Sequence, residues 1–185
     1  MSDEHKIKLY TARESFFSQL ARLTISEMGF DYENEDIDIG NDMTNYSLYY
    51  YKINPNMTVP SMDFDGRIFT DSKDIIMFMS EKFPKESLIP TDPDQRKQVM
   101  DFVDQLYSSY DMIFGFTFKT FFTQSSLLFK IYLYRNKVVK SNKKMAQIMK
   151  DVPETRETIL ERQRDRSAKK DKMMNTKLET LTNQV

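Results

Sequence analysis

Few residue types in this chain could do chemistry. It contains no cysteine and one histidine, His5. Disulfides, zinc–thiolate sites and a thiolate nucleophile supplied by the chain are therefore excluded. A histidine metal cluster or a Ser/His/Asp triad has almost nothing to draw on. Hydroxyls, carboxylates and backbone groups remain, and two pairs of residues stand out. Val59-Pro60 enters an alternating segment, where a proline cannot donate to a ladder. One solution is a cis-proline at the start of an edge strand. Val59 would then present its N–H and C=O outward, and a bound peptide could pair with them as a neighbouring strand would. Asp71-Ser72 stands where a helix begins. A helix N-terminus favours a carboxylate, Ser72 can donate to it, and Asp71 can offset an ammonium group. Out of context, the same pair also reads as a plain helix cap.

The surrounding elements must position these pairs. Ile7-Lys8-Leu9-Tyr10 alternates as a short strand does. From Ser15 the period becomes helical, with Phe17, Leu20, Ala21, Ile25 and Met28 on one face and Gly29 at the C-cap. Tyr32 to Ile39 predicts a second strand, acidic on one face, and Asn41 to Asn56 predicts irregular chain. Met62 and Phe64 alternate with polar residues, Asp65-Gly66 is a hairpin turn, and Ile68-Phe69 starts the return strand. Ile75, Ile76, Met79 and Phe83 resume helical spacing. The order is strand, helix, strand, connection, hairpin, helix.

Lys85 to Pro93 reads as a linker, and Asp94 to Tyr110 as a helix with Val99, Val103, Leu106 and Tyr110 on one face. Residues 107–134 hold 10 of the 24 aromatic side chains, which makes this the most aromatic part of the second half. Asp151-Val152-Pro153-Glu154 predicts a helix start with an acidic N-cap. The expected organisation is an α/β domain over residues 1–86, a linker over 87–93 and an all-α domain over 94–185.

Length and composition agree with a folded protein. The 185 residues suffice for a sizeable core, and 30 % charged with 39 % hydrophobic residues is a globular balance. The polar N-terminus does not resemble a signal peptide. Ile113 to Tyr134 is apolar but interrupted by Lys119, Gln124 and Lys130, so it is not expected to span a bilayer. A cytoplasmic protein is expected. Residues 1–86 carry 16 Asp and Glu against 9 Lys and Arg, whereas residues 135–172 carry 6 against 13. Interleaving of signs in the second region reads first as solvated helix faces, and no nucleic-acid motif accompanies it.

Leu9-Tyr10, Ser15, Arg22, Asn54-Pro55, Val59-Pro60, Asp65-Gly66 and Asp71-Ser72 follow one another as in the N-terminal domain of glutathione transferases. The chain resembles that family over roughly residues 6–93. The resemblance implies a thioredoxin-like α/β domain followed by an all-α domain. It implies glutathione as co-substrate, no metal, conjugation to an electrophilic small molecule, and a homodimer. Val59 and Pro60 would hold the peptide backbone, and Asp71 and Ser72 the γ-glutamyl end. The family's thiolate stabiliser is a Ser or a Tyr. Ser15 is the first candidate and Tyr10 the second; otherwise Ser15 is a helix N-cap and Tyr10 a core aromatic. Tyr107, Tyr110 and Phe114 would either line the acceptor pocket or form helix core. Two departures stand out: Asn56-Met57 replaces a turn that usually holds a glycine, and Asp71 replaces the commoner Glu.

A narrower likeness is carried by Ser15-Phe16, Ser18-Gln19, Arg22-Leu23 and the segments Val152 to Arg164 and Leu178 to Val185. These residues resemble the ganglioside-induced differentiation-associated protein 1 subgroup. Its members sit on the mitochondrial outer membrane through a C-terminal anchor, which this sequence, ending at Val185, is not expected to carry. The helical domain is expected to be short or truncated relative to a complete transferase. The alternative reading is a non-catalytic module that binds a protein partner or the mitochondrial outer membrane surface.

Overall fold

The computed structural model describes residues 5–108, 127–161 and 164. The chain divides into two compact units, residues 1–138 and 139–185.

In the first unit, β1 (Ile7–Thr11) leads into α1 (Phe16–Glu27), and β2 (Glu33–Asp36) follows. A 3-10 turn (Thr44–Tyr46) and α2 (Leu48–Ile53) precede the hairpin of β3 (Ser61–Phe64) and β4 (Arg67–Phe69). Helices α3 (Ser72–Lys82) and α4 (Pro93–Ser108) complete the described part of this unit before α5 (Leu127–Asp151). The sheet order is β2-β1-β3-β4, with β2 parallel to β1 and the other pairings antiparallel. This is the thioredoxin-like mixed sheet that the order of elements implies.

Alternation along β1 sends Ile7 and Leu9 to one face and Tyr10 to the other. The first face buries Ile7, Leu9, Met62, Phe64 and Phe69 against Ala21, Ile25 and Met28 at the α1 end and Ile75 and Met79 of α3. Leu9, Ile25, Met62, Ile75 and Met79 lose essentially all contact with water. Each such burial stabilises by about 2–3 kcal/mol before the entropy of ordering is counted. The opposite face carries a smaller cluster in which Tyr10, Ile37 and Tyr50 pack with Ile53 and Val59.

The end of α1 follows from its sequence. Gly29 takes φ +79, the Gly29 N–H donates to Ser26 C=O at 3.0 Å, and the Phe30 N–H donates to Ile25 C=O at 3.1 Å. That pairing closes the last turn, and glycine adopts its left-handed backbone without a Cβ clash.

Four expectations change. The strand after Val59-Pro60 is not an edge, since β3 lies between β1 and β4. The Val59–Pro60 bond is cis, as expected. The described ladder begins at Ser61, so the proline's missing N–H is never needed within an interior strand. Second, β2 covers only Glu33–Asp36 of the expected Tyr32 to Ile39, because its pairing to β1 spans just Lys8 to Thr11. Third, residues 41–56 are not irregular throughout. Ser47 caps α2 by accepting from the Tyr50 N–H at 3.1 Å, and a helix of 6 residues is too short to show a period.

Fourth, helical chain does begin here, with Pro153 and Glu154 in its first turn and helix over 156–161, but Val152 and not Asp151 stands at the cap position. Asp151 ends α5, accepting from Gln147 Nε2 at 2.7 Å, and a 3-10 turn (Pro153–Thr155) follows without a side-chain cap. In the second unit Ser141, Met145 and Ile148 are buried along one stripe of α5, and Ile159 is buried beyond the turn. Helix α4 begins at Pro93, one residue before the expected Asp94, because the Asp92 carboxylate accepts from the Gln95 N–H at 3.0 Å. Tyr110, Phe114 and most of the aromatic segment lie outside the described residues. Among the described residues, no helix is long and apolar enough to cross a membrane.

Candidate functional site

Strand register collects the candidate residues at one end of the sheet. Tyr10, near the end of β1, pairs with Ser61 at the start of β3, and Met62 pairs with Phe69 at the end of β4. The exit of β1, the entry to β3 and the exit of β4 therefore share an edge of the first unit. Ser15 follows the first of these, Val59-Pro60 precedes the second, and Asp71-Ser72 follows the third.

Ser15 is the N-cap of α1. Its hydroxyl accepts from the Ser18 N–H at 3.3 Å, and the residue is 5 % exposed. The turn that carries it is fixed from two sides. Arg22 Nη1 donates to Thr11 Oγ1 at 2.7 Å, and the Ala12 N–H donates to Ser18 Oγ at 3.2 Å. A hydroxyl that accepts from a backbone N–H still has its own proton to donate, so capping and thiolate stabilisation are compatible. Tyr10 sits differently. Its ring meets the Tyr50 ring edge-on at 6.2 Å inside the Tyr10, Ile37, Tyr50 cluster, and burial pushes its phenol above the ordinary tyrosine range.

Around Val59-Pro60 the loop is held by side chains that the sequence reading did not single out for this role. Tyr50 Oη donates to the Thr58 C=O at 2.7 Å and lies 3.0 Å from Ser61 Oγ. Asn54 Nδ2 donates to the same carbonyl at 2.7 Å and to Ser61 Oγ at 3.0 Å, while Asn54 Oδ1 accepts from the Asn56 N–H at 2.9 Å. Asn45 Nδ2 donates to the Met57 C=O at 2.9 Å. Both Tyr50 and Asn54 are fully buried, and burial pushes the Tyr50 phenol up to about 12, so it stays a neutral donor. Met57, at the position of the missing glycine, takes a left-handed backbone with φ 54. Val59 itself stands just outside the ladder.

Asp71 is the N-cap of α3, its carboxylate accepting from the Lys73 N–H at 2.8 Å, and its side chain is exposed. Ser72 is 3 % exposed, and its Oγ lies 2.7 Å from Tyr107 Oη of α4. The Tyr107 ring stacks on Phe17 at 5.3 Å, two residues past Ser15. Lys73 pairs with Asp104 beside it. Tyr107 thus meets both the start of α1 and the start of α3. The sequence pointed to Tyr107 only as an acceptor-pocket or core aromatic. Its contact with Ser72 spans 35 residues, and no local pattern signals it. Among the described residues, no group of three His, Asp or Glu side chains is placed to hold a metal ion.

Comparison with known proteins gives a consistent result. Residues 9–87 match the family model of the glutathione S-transferase N-terminal domain. A tetrachloro-p-hydroquinone reductive dehalogenase of Sphingobium chlorophenolicum is 31 % identical over 96 residues, covering 52 % of this chain and 38 % of the dehalogenase. Glutathione S-transferase Z1 of Arabidopsis thaliana is 33 % identical over 95 residues, covering 51 % of this chain and 42 % of the plant protein. The matches thus span about two fifths of these relatives' length. A glutathione transferase homologue from Sulfitobacter, solved with bound glutathione, is similar in fold with a TM-score of 0.55 at 20 % identity, covering 80 % of this chain and 68 % of that one.

Proposed function

We propose, because residues 9–87 match the family model of the glutathione S-transferase N-terminal domain, that the chain holds glutathione and adds its sulfur to an electrophilic small molecule. The observation that supports this reading is the shared sheet end, at which β1 exits toward Ser15, β3 is entered after Val59-Pro60, and β4 exits toward Ser72. The residues suit the peptide chemically. Val59, outside the ladder, can offer backbone N–H and C=O to the cysteinyl residue. Ser72 can donate to the γ-glutamyl carboxylate at the start of α3, and Asp71 can offset the ammonium.

The thiol is then assigned to Ser15. A hydroxyl donor at the N-terminus of a 12-residue helix stabilises a thiolate by hydrogen bonding and by the helix dipole. Tyr10 is the weaker candidate, because its phenol is packed in the Tyr50 cluster and pushed up by burial. The names of the curated relatives include isomerases, transferases and a dehalogenase, so the proposal rests on the shared thiolate attack and not on one product. Homodimerisation and contact with the mitochondrial outer membrane belong to the proposal on sequence resemblance alone.

Calorimetric titration with glutathione, followed by an assay with a chloronitrobenzene acceptor, tests it. Saturable binding and conjugate formation are expected. Absence of binding at millimolar glutathione overturns the reading together with its site.

A further inference from the structure

The Ser72–Tyr107 contact has a use that capping α3 does not explain. Ser72 Oγ and Tyr107 Oη lie 2.7 Å apart and satisfy each other, which lets the buried Ser72 hydroxyl and the half-buried Tyr107 phenol sit together away from most water. The Tyr107 ring is fixed independently. Phe17 stacks on one face at 5.3 Å, and Lys73 Nζ lies 6.0 Å from the ring centroid. Burial most of all, and more weakly the nearby Asp71 and Asp74, disfavour loss of the Tyr107 proton and outweigh the opposing bond to Ser72, so Tyr107 remains a neutral donor. Neither hydroxyl is needed to cap α3, because the Asp71 carboxylate already does that through the Lys73 N–H.

We propose that Tyr107 is a ligand-binding residue, whose phenol joins the Ser72 hydroxyl in donating to the carboxylate of the γ-glutamyl end. This rests on the glutathione reading above. A carboxylate oxygen has lone pairs for more than one donor, so one group can accept from both hydroxyls. Each hydroxyl exchanges a neutral–neutral hydrogen bond for a charge-assisted one, which is the stronger kind. The mutual bond therefore keeps both groups satisfied until an anion takes it over. Since the phenol arrives from α4, this helix contributes to carboxylate selectivity as well as to packing.

Tyr107→Phe tests the assignment, since it deletes the hydroxyl and keeps the ring on Phe17. Two ligands are titrated by calorimetry into the parent and the variant: glutathione, and an analogue whose γ-glutamyl residue lacks its α-carboxylate. The variant is expected to bind glutathione about 10-fold more weakly and the analogue as the parent does. Thermal midpoints of both proteins establish that the fold persists. An equal loss for both ligands overturns the proposal, because it reports a packing change and not carboxylate recognition. Unchanged glutathione binding in the variant overturns it as well, while leaving the parent's glutathione site standing. If the parent binds no glutathione, the underlying functional reading fails, and that outcome is distinct from the other two.

Discussion

Met57 holds a left-handed backbone, φ 54, while its side chain is 3 % exposed. The two facts pull in opposite directions under substitution by glycine. Glycine would relieve about 1–2 kcal/mol of backbone strain. It would also strip out a buried methionine, which costs about 2–5 kcal/mol. The side chain wins, so Met57→Gly is expected to destabilise by about 1–3 kcal/mol in urea unfolding. A variant as stable as the parent would show that the side chain contributes little there. Asn54 poses a simpler case. Asn54→Ala removes, from a fully buried side chain, donors to the Thr58 C=O and Ser61 Oγ and the acceptor for the Asn56 N–H. A loss of about 2–3 kcal/mol is expected. Tyr50→Phe should cost less, on the order of 1 kcal/mol, since Asn54 still serves the same carbonyl and hydroxyl. The two changes share partners and should not add, which a double-mutant cycle measures.

At the scale of elements, the start of α1 serves stability and the proposed chemistry through one hydroxyl, and glycine separates the two roles. An N-cap Ser→Ala change costs about 1 kcal/mol, whereas Ser→Gly costs only a few tenths. Ser15→Gly should therefore unfold almost as the parent does while losing the thiolate donor. The expected readout is a raised pKa of the bound glutathione thiol, followed by its ultraviolet absorbance; an unchanged pKa would remove Ser15 from the chemistry. The β3–β4 turn gives a pH-dependent test. Asp65 accepts from the Lys6 N–H at 2.8 Å and from His5 Nδ1 at 2.7 Å, and these contacts hold its carboxyl below the ordinary range, the backbone bond most of all. Its contribution is present above about pH 4 and is lost as pH falls through the lower folded value. Asp65→Asn should flatten that part of the decline in thermal midpoint, and equal slopes would count against the contact. How legible each element was depended on its length and punctuation. Gly29 and Asp65-Gly66 marked real ends and turns, because positive φ selects glycine there. Helix α2 left no trace, since 6 residues hold no period and Tyr49-Tyr50-Tyr51 does not reveal which ring is buried.

For the whole molecule, the order of elements was readable because the sheet is built from locally patterned segments. The site was readable only as separate pairs. Ser15, Val59-Pro60 and Asp71-Ser72 each carry a local signal, but the Tyr50 and Asn54 cradle and the Tyr107 contact exist only once distant segments meet. Val59-Pro60 shows the limit of local reasoning. The proline suggested an edge strand, although a proline one residue before the ladder fits an interior strand equally well. The same convergence makes binding a property of the folded chain alone, so ligand must stabilise the fold by mass action. Glutathione at about 100 times its dissociation constant adds about 2.7 kcal/mol, which for a protein of this size raises the midpoint by roughly 5–10 °C. Thermal unfolding at increasing glutathione should thus show a midpoint that climbs with the logarithm of concentration. Ser15→Gly should keep most of that climb, because its hydroxyl acts on the thiol more than on the peptide frame. Ser72→Ala should climb less than the parent at every matched concentration, because the carboxylate loses a donor. A parent midpoint that stays flat up to millimolar glutathione would mean that the folded chain has no such site, whatever its strands and helices resemble.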